Sequence, residues 1–425
     1  MENSYDVIVV GGGPAGMLAA SVAAAKGAKT LLLEKNERLG KKMLITGGGR
    51  CNLTNDTDIE QMVANIPGNG KFVFGSLYRF SGQDLRDYFN KLGIKTKVEN
   101  QGKVFPRSNS AAQVVEALEK HLLKLGVRIK YQAKVDALIE GWGCCRGVVV
   151  GGKELKSKAA VIATGGLSYP KTGSTGDGYK IAGKLGHTVT KLFPSAVSVT
   201  CSDPWIRERD VQGLSLPSVK ITLYNGKGKI MACEMGDIIF THWGISGPGA
   251  LRVGRYVSIE KQKTGIESIR GEIDLYPSTN QEEIARRLGQ IALEENKKIL
   301  KTALATVVPE RLALVLAELA GVSPQVTVGA IQKETWRRLA LLLKGLPVNI
   351  EGTRSIDEAT VTGGGIAVKE VDPRSMESKL IKGLFFAGEI LDIDAHTGGF
   401  NMQVAFSTGY VAGEAAAKHA LESID

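Results

Sequence analysis

Cysteine is scarce in this sequence, and its spacing excludes several kinds of protein. The chain has five cysteines, and no two of them form a C-x-x-C pair: Cys51, Cys144, Cys145, Cys201 and Cys233. A disulfide framework or a structural metal site would need cysteines in other numbers and spacings. We therefore expect a protein of a reducing, cytoplasmic compartment that holds no metal. Cys144 and Cys145 are expected to point to opposite sides of one strand.

Long hydrophobic runs are also missing. No apolar segment approaches the roughly 18 residues that a membrane span needs. The N-terminus enters a strand-like run within a few residues, so we expect no signal peptide. With 425 residues, of which 43% are hydrophobic and 23% charged, the chain has the composition of a globular protein of two or three domains. The sequence thus predicts no membrane partner.

The charge is strongly positive, yet no long Lys/Arg run and no RNA-binding motif accompanies it. The formal net charge is +10 and the sequence pI is about 9.2. One interpretation is a basic surface that serves solubility alone. The other is attraction to a polyanion such as RNA. Charge alone leaves both interpretations open.

The most informative segment is YDVIVVGGGPAGMLAASVAAAKGAKTLLLEK, at residues 5–35. Residues 6–10 form an apolar run typical of a buried parallel strand. Gly11, Gly13 and Gly16 then give G-x-G-x-x-G at the start of an Ala-rich helix. In this motif the first glycine permits a tight turn, the second lets the backbone approach a pyrophosphate, and the third lets the helix pack on the strand.

An acidic residue completes this motif. Glu34 follows a second predicted strand, residues 30–33, and lies 18 residues after Gly16. A carboxylate at this distance accepts hydrogen bonds from a ribose and disfavours a 2′-phosphate. Because strand, helix, second strand and acid are all in register, the segment predicts a dinucleotide site. Whether the dinucleotide is FAD or NAD stays open at this point.

A second glycine-rich segment, NERLGKKMLITGGGRCNLTN, follows directly. Three consecutive glycines, residues 47–49, indicate a backbone that approaches a ligand closely. Thr46, Arg50 and Asn52 flank them with hydrogen-bonding groups. Cys51 has two interpretations, a low-pKa thiol close to a flavin or a small buried residue.

Two later segments also end strands in glycine. AAVIATGGLSYPKTGSTGDG contains a predicted strand at 161–163, and Asp177 then leads into a helix. Near the C-terminus a strand predicted at 384–387 is followed by Gly388 and Glu389, and residues 398–401 open a long Ala/Gly-rich helix. The positive end of such a helix can stabilise negative charge on a reduced flavin.

The middle of the chain changes in character. Residues 196–280 contain short β-like runs, and residues 281–345 have helical spacing. We predict an α/β protein with a Rossmann-like dinucleotide-binding domain, made of a central parallel sheet and a β-meander, that is interrupted by a β-rich and helical domain. The predicted limits are 1–195 and 351–425 for the dinucleotide-binding domain and 196–350 for the insertion.

Together these motifs resemble FAD-binding flavoproteins of the glutathione-reductase-like superfamily. KKMLITGGGRCNLTN, KVFPRSNSA, FTHWGISGPGAL and AGEILDIDAHTGGFNMQ resemble, more narrowly, the bacterial NAD(FAD)-utilizing dehydrogenases, also called aminoacetone-oxidase-like FAD-binding enzymes. The resemblance covers almost the whole chain and implies FAD as the cofactor. It also implies small-molecule acceptors, such as amines or steroid-like enones, or uridine in ribosomal RNA, which would be reduced to dihydrouridine.

The predicted site residues follow from the motifs and this resemblance. The residues predicted to bind the cofactor are Gly11, Gly13, Pro14, Ala15, Gly16, Glu34, Lys35, Gly40, Lys41, Thr46, Gly48, Gly49, Arg50, Cys51, Asn52, Val135, Ala163, Thr164, Gly165, Gly166, Asp177, Gly388, Glu389, Gly398, Gly399, Phe400 and Asn401. The catalytic candidates are His242, His396 and Cys51. An imidazole near neutral pKa suits a proton donor, and a structural role is the alternative for each histidine.

A second G-x-G-x-x-G and a redox cysteine pair are both absent from the sequence. NADH or NADPH would therefore visit the flavin transiently, and a thiol–disulfide mechanism is not expected. We predict an FAD-dependent oxidoreductase that passes a hydride through flavin N5 to an unknown acceptor, such as an activated C=C bond. The alternatives are an FAD-binding RNA- or protein-interaction module without turnover and an NAD-dependent dehydrogenase without flavin.

Overall fold

The computed structural model describes residues 4–208 and 210–423. The strands are β1 Ser4–Val10, β2 Thr30–Leu33, β3 Thr54–Asn55, β4 Thr96–Val98, β5 Lys103–Pro106, β6 Arg128–Lys130, β7 Val135–Gly141, β8 Cys144–Val150, β9 Lys153–Ile162, β10 Phe193–Pro194, β11 Val199–Cys201, β12 Ser215–Tyr224, β13 Ile230–Thr241, β14 Gly244–Ser246, β15 Ile269–Asp274, β16 Leu346–Thr353, β17 Thr362–Gly363 and β18 Leu384–Phe386.

The α-helices are α1 Pro14–Ala25, α2 Ile59–Ala64, α3 Phe74–Arg79, α4 Gly82–Lys91, α5 Ala111–Lys124, α6 Asp177–Lys184, α7 Pro204–Arg207, α8 Pro248–Thr264, α9 Gln281–Glu294, α10 Leu300–Leu304, α11 Glu310–Leu319, α12 Lys333–Lys344 and α13 Phe400–Glu422. Internal contacts divide the chain into two units, Met1–Phe193 with Ile356–Asp425, and Pro194–Ser355. The first unit is discontinuous in sequence. The insertion limits 196 and 350 stay a prediction.

The first unit is built on a seven-stranded sheet. Its order is β6-β2-β1-β9-β8-β7, and β18 also pairs with β9. Strands β1, β2, β6, β9 and β18 are parallel, and their registers bring Val10, Leu33, Lys130, Ile162 and Phe386 to one edge. In sheets of this kind ligands bind outside the carboxyl ends of the strands, where the chain leaves in opposite directions. β7, β8 and the first half of β9 form the antiparallel meander.

Two Ala-rich helices, α1 and α13, pack on this sheet and lie very close to each other. A Cβ added to Gly409 of α13 would lie 2.3 Å from the Ala15 carbonyl oxygen of α1, and one added to Gly413 would lie 2.3 Å from that of Ala19. Because glycine and alanine carry almost no side chain, the two helix backbones approach closely. This packing brings the start of α1 near the middle of α13.

The second unit contains a closed barrel with the strand order β11-β14-β13-β12-β15-β16. Its core includes Phe240, Ile273 and Ile350, which are almost fully buried. Helix α8 packs on the barrel, and α9–α12 follow in sequence between β15 and β16. The β-rich and helical parts predicted at 196–280 and 281–345 therefore have the expected secondary structure.

One strand was not predicted and another differs from its prediction. β5 lies within GKVFPRSNSA and pairs with both β3 and β4, although proline and polar residues are typical of a loop. The strand predicted at 161–163 ends at Ile162 and begins at Lys153, since its charged first half pairs with β8. Ser110 caps α5 by accepting a hydrogen bond from the Gln113 amide.

Candidate functional site

The turn between β1 and α1 leaves no room for side chains. Gly11 has φ +107°, and a Cβ on it would lie 2.4 Å from the Ala163 carbonyl oxygen. A Cβ on Gly16 would lie 1.9 Å from the Gly11 carbonyl oxygen. Gly13, by contrast, has open space within 4 Å of its Cβ position and immediately precedes Pro14. The motif therefore packs tightly against the protein and opens only where a pyrophosphate would lie.

Glu34 is buried and held in one orientation by backbone groups. Its Oε2 accepts a hydrogen bond of 2.7 Å from the Gly12 amide. Its Oε1 accepts from the backbone amide and the side-chain Nδ2 of Asn36, at 2.8 and 2.7 Å. A carboxylate has about four acceptor positions, so acceptor capacity remains for one more donor, such as a ribose hydroxyl.

Lys35 and Asp177 form a contact between the end of β2 and the start of α6. The Lys35 Nζ lies 2.6 Å from Asp177 Oδ2. Burial raises the pKa of Asp177, but hydrogen bonds from Lys35 and Thr175 outweigh burial and hold the pKa below its ordinary value. An open cavity of about 540 Å³ is lined in part by Asp177 and Val135. Two residues predicted from sequence thus line one cavity, and Lys35 is bound to one of them.

A polar network that the sequence did not predict surrounds Glu389. Lys42 Nζ donates to Glu389 Oε2 at 2.9 Å and to Ser168 Oγ at 2.7 Å. Glu389 Oε1 accepts from the Thr362 amide at 2.9 Å and from Ser168 Oγ at 3.0 Å. Four distant chain segments are therefore joined at one carboxylate, which follows directly after Gly388. We call Lys42, Ser168, Thr362 and Glu389 the Glu389 network.

One sequence signal could have found part of this network. The tetrapeptide TGGG occurs twice, at residues 46–49 and 362–365. Only the first was used in the prediction. Thr362 Oγ1 also accepts from the Leu167 and Ser168 amides, at 2.8 and 2.9 Å. Lys41 was predicted, but its neighbour Lys42 makes the contacts described here.

The first TGGG segment forms a left-handed turn. Gly47, Gly48 and Gly49 have φ of +61°, +69° and +83°, a region that residues with a Cβ rarely adopt. Gly48 has nothing within 4 Å of its Cβ position. Arg50 leaves the turn and binds Glu99 at 2.9 Å, with its guanidinium 4.0 Å from the centre of the Phe105 ring.

The structure favours the second interpretation of Cys51, that of a small buried residue. Its side chain is fully buried, and burial raises the pKa of the thiol to about 12. The interpretation of Cys51 as a low-pKa catalytic thiol is therefore wrong, because its environment opposes the thiolate.

The start of α13 is the second glycine-rich helix terminus of the site. Gly398 and Gly399 have φ of +126° and +103°, and a Cβ on Gly399 would lie 2.2 Å from the Thr54 carbonyl oxygen. No side chain caps the first turn of α13, which begins at Phe400, and none caps α1. Both termini thus keep backbone N–H groups for a ligand. Asn401 donates to the carbonyl oxygens of residues 395 and 396 and so orders the preceding loop.

Two buried side-chain oxygen atoms of residues predicted to bind the cofactor lack a hydrogen-bond partner within the described residues. They are Asn52 Oδ1 and Thr164 Oγ1. Buried polar groups are nearly always satisfied in native proteins, so partners from a bound ligand fit here. With the room at Gly13 and Gly48 and the two uncapped helix termini, the residues present fit a dinucleotide such as FAD.

The two histidine candidates lie in different units. His396 is in the loop before α13, and its amide donates to the Asn65 carbonyl oxygen at 2.9 Å. His242 is exposed in the turn between β13 and β14 of the second unit. In that turn region Ser246 Oγ lies 2.8 Å from Ser198 Oγ. Their roles as proton donors stay predictions.

Within residues 4–208 and 210–423 no three His, Cys, Asp or Glu side chains lie together as a metal ion requires. Nor does that part of the chain contain a helix with the length and apolarity that crossing a bilayer demands.

The chain belongs to the family described as HI0933-like protein Rossmann domain, whose model matches residues 5–415. It is 30% identical over 416 residues to a 3-dehydro-bile acid delta(4,6)-reductase of Clostridium scindens, covering 96% of this chain and 98% of that protein. It is 32% identical over 417 residues to a ribosomal RNA dihydrouridine synthase of Escherichia coli, covering 96% of both chains.

A solved structure shares the fold. The 3-ketosteroid delta1-dehydrogenase of Sterolibacterium denitrificans matches with a TM-score of 0.54 at 15% identity, covering 98% of this chain and all of that chain. These findings confirm the predicted fold class and the prediction of an FAD-dependent oxidoreductase with FAD as cofactor.

Proposed function

We propose that the protein is an FAD-dependent reductase that hydrogenates a C=C bond conjugated to a carbonyl group. The observation that carries this proposal is the full-length similarity to two relatives whose names share this chemistry. A bile acid delta(4,6)-reductase and a dihydrouridine synthase both act on a C=C bond in conjugation with a carbonyl. The finer resemblance to NAD(FAD)-utilizing, aminoacetone-oxidase-like enzymes supports NADH or NADPH as the donor.

Different segments of the first unit would hold different parts of the cofactor. The start of α1 would bind the pyrophosphate, Glu34 the ribose, and the TGGG turn, the Glu389 network and the start of α13 the flavin end. When bound, FAD supplies a two-electron carrier that accepts a hydride from NAD(P)H and donates it to the acceptor. The uncapped terminus of α13 favours negative charge in its vicinity.

In the net reaction NAD(P)H is oxidised to NAD(P)⁺, and the C=C bond gains one hydride and one proton. His396 or His242 would supply the proton or orient the water that does, because an imidazole exchanges protons near neutral pH. His396 is the preferred candidate, since Asn401 at the start of α13 binds its carbonyl oxygen and so holds its loop at the proposed flavin end.

Two substrate classes are compatible with this chemistry. The net charge of +10 supports a uridine in RNA as the substrate, because the RNA backbone is polyanionic. A steroid-like enone is the second candidate, supported by the bile acid reductase. We further propose a cytoplasmic location, which agrees with the free state of all five cysteines.

The test is a product analysis under anaerobic conditions. The purified protein is given NADH or NADPH with either an unmodified ribosomal RNA transcript or a 3-keto-Δ4 steroid. Mass spectrometry then measures the gain of two hydrogens per uridine or per steroid. Hydrogenation of either acceptor supports the proposal. Oxidation of the donor with neither acceptor hydrogenated would contradict it.

A further inference from the structure

An exposed tryptophan occupies the turn of the hairpin between β7 and β8. Trp142 is 96% exposed and has φ +59°, and Gly143 has φ +73°. Two-residue hairpin turns with both φ positive favour Asn-Gly, and a bulky residue in this backbone region is unusual. Tryptophan is therefore unfavourable here both for the backbone and for the exposure of its ring. Such an outlier points to a function outside the fold.

Two basic residues lie close to this turn in the backbone. The Lys382 amide donates to the Gly143 carbonyl oxygen at 2.9 Å, and the Cys145 amide donates to the Lys382 carbonyl oxygen at 2.8 Å. These bonds fix Lys382 next to the turn. Arg146 on β8 and Lys382 are both exposed, and Leu380 is 47% exposed. We call Trp142, Arg146, Leu380 and Lys382 the Trp142 surface.

The acidic side chains close to the turn and to Lys382 are engaged: Glu377 accepts a hydrogen bond of 2.8 Å from the Gly383 amide, next to Lys382, and Glu140 binds the turn. The Glu140 carboxylate accepts a hydrogen bond of 2.6 Å from the Gly143 amide. It therefore supports the turn itself. The Trp142 surface combines an accessible aromatic ring with two cationic side chains, which is the combination that binds single-stranded nucleic acid: bases stack on the ring and cations follow the backbone.

We propose that the Trp142 surface binds single-stranded RNA, with a base stacked on the indole and with Arg146 and Lys382 close to phosphates. This inference rests on the proposed function, because it selects RNA from the two substrate classes. The net charge of +10 favours a polyanionic partner over a neutral one. A base also explains why a turn position that suits asparagine carries an aromatic ring.

The experiment is a binding titration of the FAD-loaded full-length protein with a fluorescein-labelled single-stranded oligouridine at low salt. Trp142→Ala is expected to weaken binding by about 5-fold to 150-fold, from about 1–3 kcal/mol per stacked base converted at 1.4 kcal/mol per tenfold. Trp142→Phe keeps a stacking ring and is expected to retain most of the affinity. Flavin absorbance verifies that each variant is folded and loaded.

Trp142→Asn distinguishes a loss of RNA binding from a loss of protein stability. Asparagine fits the left-handed turn, so this variant is expected to unfold at a higher temperature while it binds RNA as weakly as Trp142→Ala. Tyr78→Ala is the matched control, because Tyr78 is a second aromatic residue of the first unit and is 72% exposed. It is expected to bind RNA as the unmodified protein does.

Several outcomes would overturn the inference. They are equal RNA affinity of Trp142→Ala and the unmodified protein, an equal loss in Tyr78→Ala, or an absence of RNA binding altogether. Self-association that Trp142→Ala abolishes, with RNA binding unchanged, would assign the surface to a second copy of the chain instead. Because binding is measured without turnover, the proposed function fails separately, through an absence of hydrogenated product.

Discussion

The candidate cofactor site has a proposed pyrophosphate end and a proposed flavin end, and the two are built in different ways. At the pyrophosphate end, around α1, glycines pack against backbone atoms at distances that exclude any Cβ, as Gly16 does at 1.9 Å from the Gly11 carbonyl oxygen. At the flavin end, the Glu389 network joins side chains from distant segments. The first end therefore depends on backbone shape, which a local motif encodes. The second depends on long-range polar contacts, which no local motif encodes.

The largest effect is expected at the pyrophosphate end. Gly16→Ala would place a methyl group 1.9 Å from a backbone oxygen, and backbone cannot move aside as a flexible side chain can. We expect a loss of about 3 kcal/mol or more in unfolding free energy, and a protein purified without FAD. Denaturant unfolding and the flavin absorbance measure the two effects.

Gly183→Ala is the control for that change. Gly183 is an exposed glycine of α6 with nothing within 4 Å of its Cβ position. The same substitution there is expected to stabilise the protein by about 0.5–1 kcal/mol, because alanine favours helices. Equal behaviour of the two variants would remove the basis of the comparison.

A smaller effect is expected at the flavin end. Lys42→Met leaves the Glu389 carboxylate without its cation, and the residual negative charge opposes an anionic cofactor. We expect FAD to bind about tenfold more weakly, which is about 1.4 kcal/mol, with little change in thermal stability. Fluorescence titration of the FAD-depleted protein measures the affinity.

Lys41→Met compares the sequence-based prediction with the structure. The sequence predicted Lys41 as a cofactor residue, whereas Lys42 contacts Glu389 and Ser168. We expect the greater loss of FAD affinity in Lys42→Met. A greater loss in Lys41→Met would mean that the Glu389 network does not determine cofactor affinity.

Gly48→Ala tests the TGGG turn. Its Cβ position is open, but its φ of +69° is unfavourable for alanine. The expected cost is about 1–2 kcal/mol of unfolding free energy, from backbone strain alone. If Gly48→Ala binds FAD far more weakly than this strain explains, the cofactor occupies the open space at the Gly48 Cβ position. An unchanged unfolding free energy would contradict the left-handed turn.

The smallest effect is expected for Cys51. Since burial raises the pKa of this thiol to about 12, it stays uncharged through neutral pH and forms thiolate only as the pH approaches that value. We therefore expect Cys51→Ala and the unmodified protein to have the same rate of flavin reduction at every pH. Iodoacetamide should label exposed Cys233 in the native protein and leave Cys51 unlabelled. A pH-dependent rate that disappears in Cys51→Ala would restore the thiol as a catalytic group.

The sequence predicted the β1–α1–β2 segment well because each part lies within about thirty residues. Strand, glycine turn and helix were all found, and β2 has the predicted limits. β5 was missed because its pairing with β3 and β4 is not local. Ser168 was missed for the same reason: a lone serine reaches Glu389 only through the fold. Thr362 begins the second TGGG segment, but its contact with Glu389 also depends on the fold.

The central claim is that the first unit binds an FAD that NAD(P)H can reduce. The most direct measurement is an anaerobic absorbance scan of the purified protein before and after addition of NADH or NADPH. The account predicts a yellow protein whose flavin bands bleach with at least one of the two donors. A colourless protein, or flavin bands that neither donor changes, would contradict it.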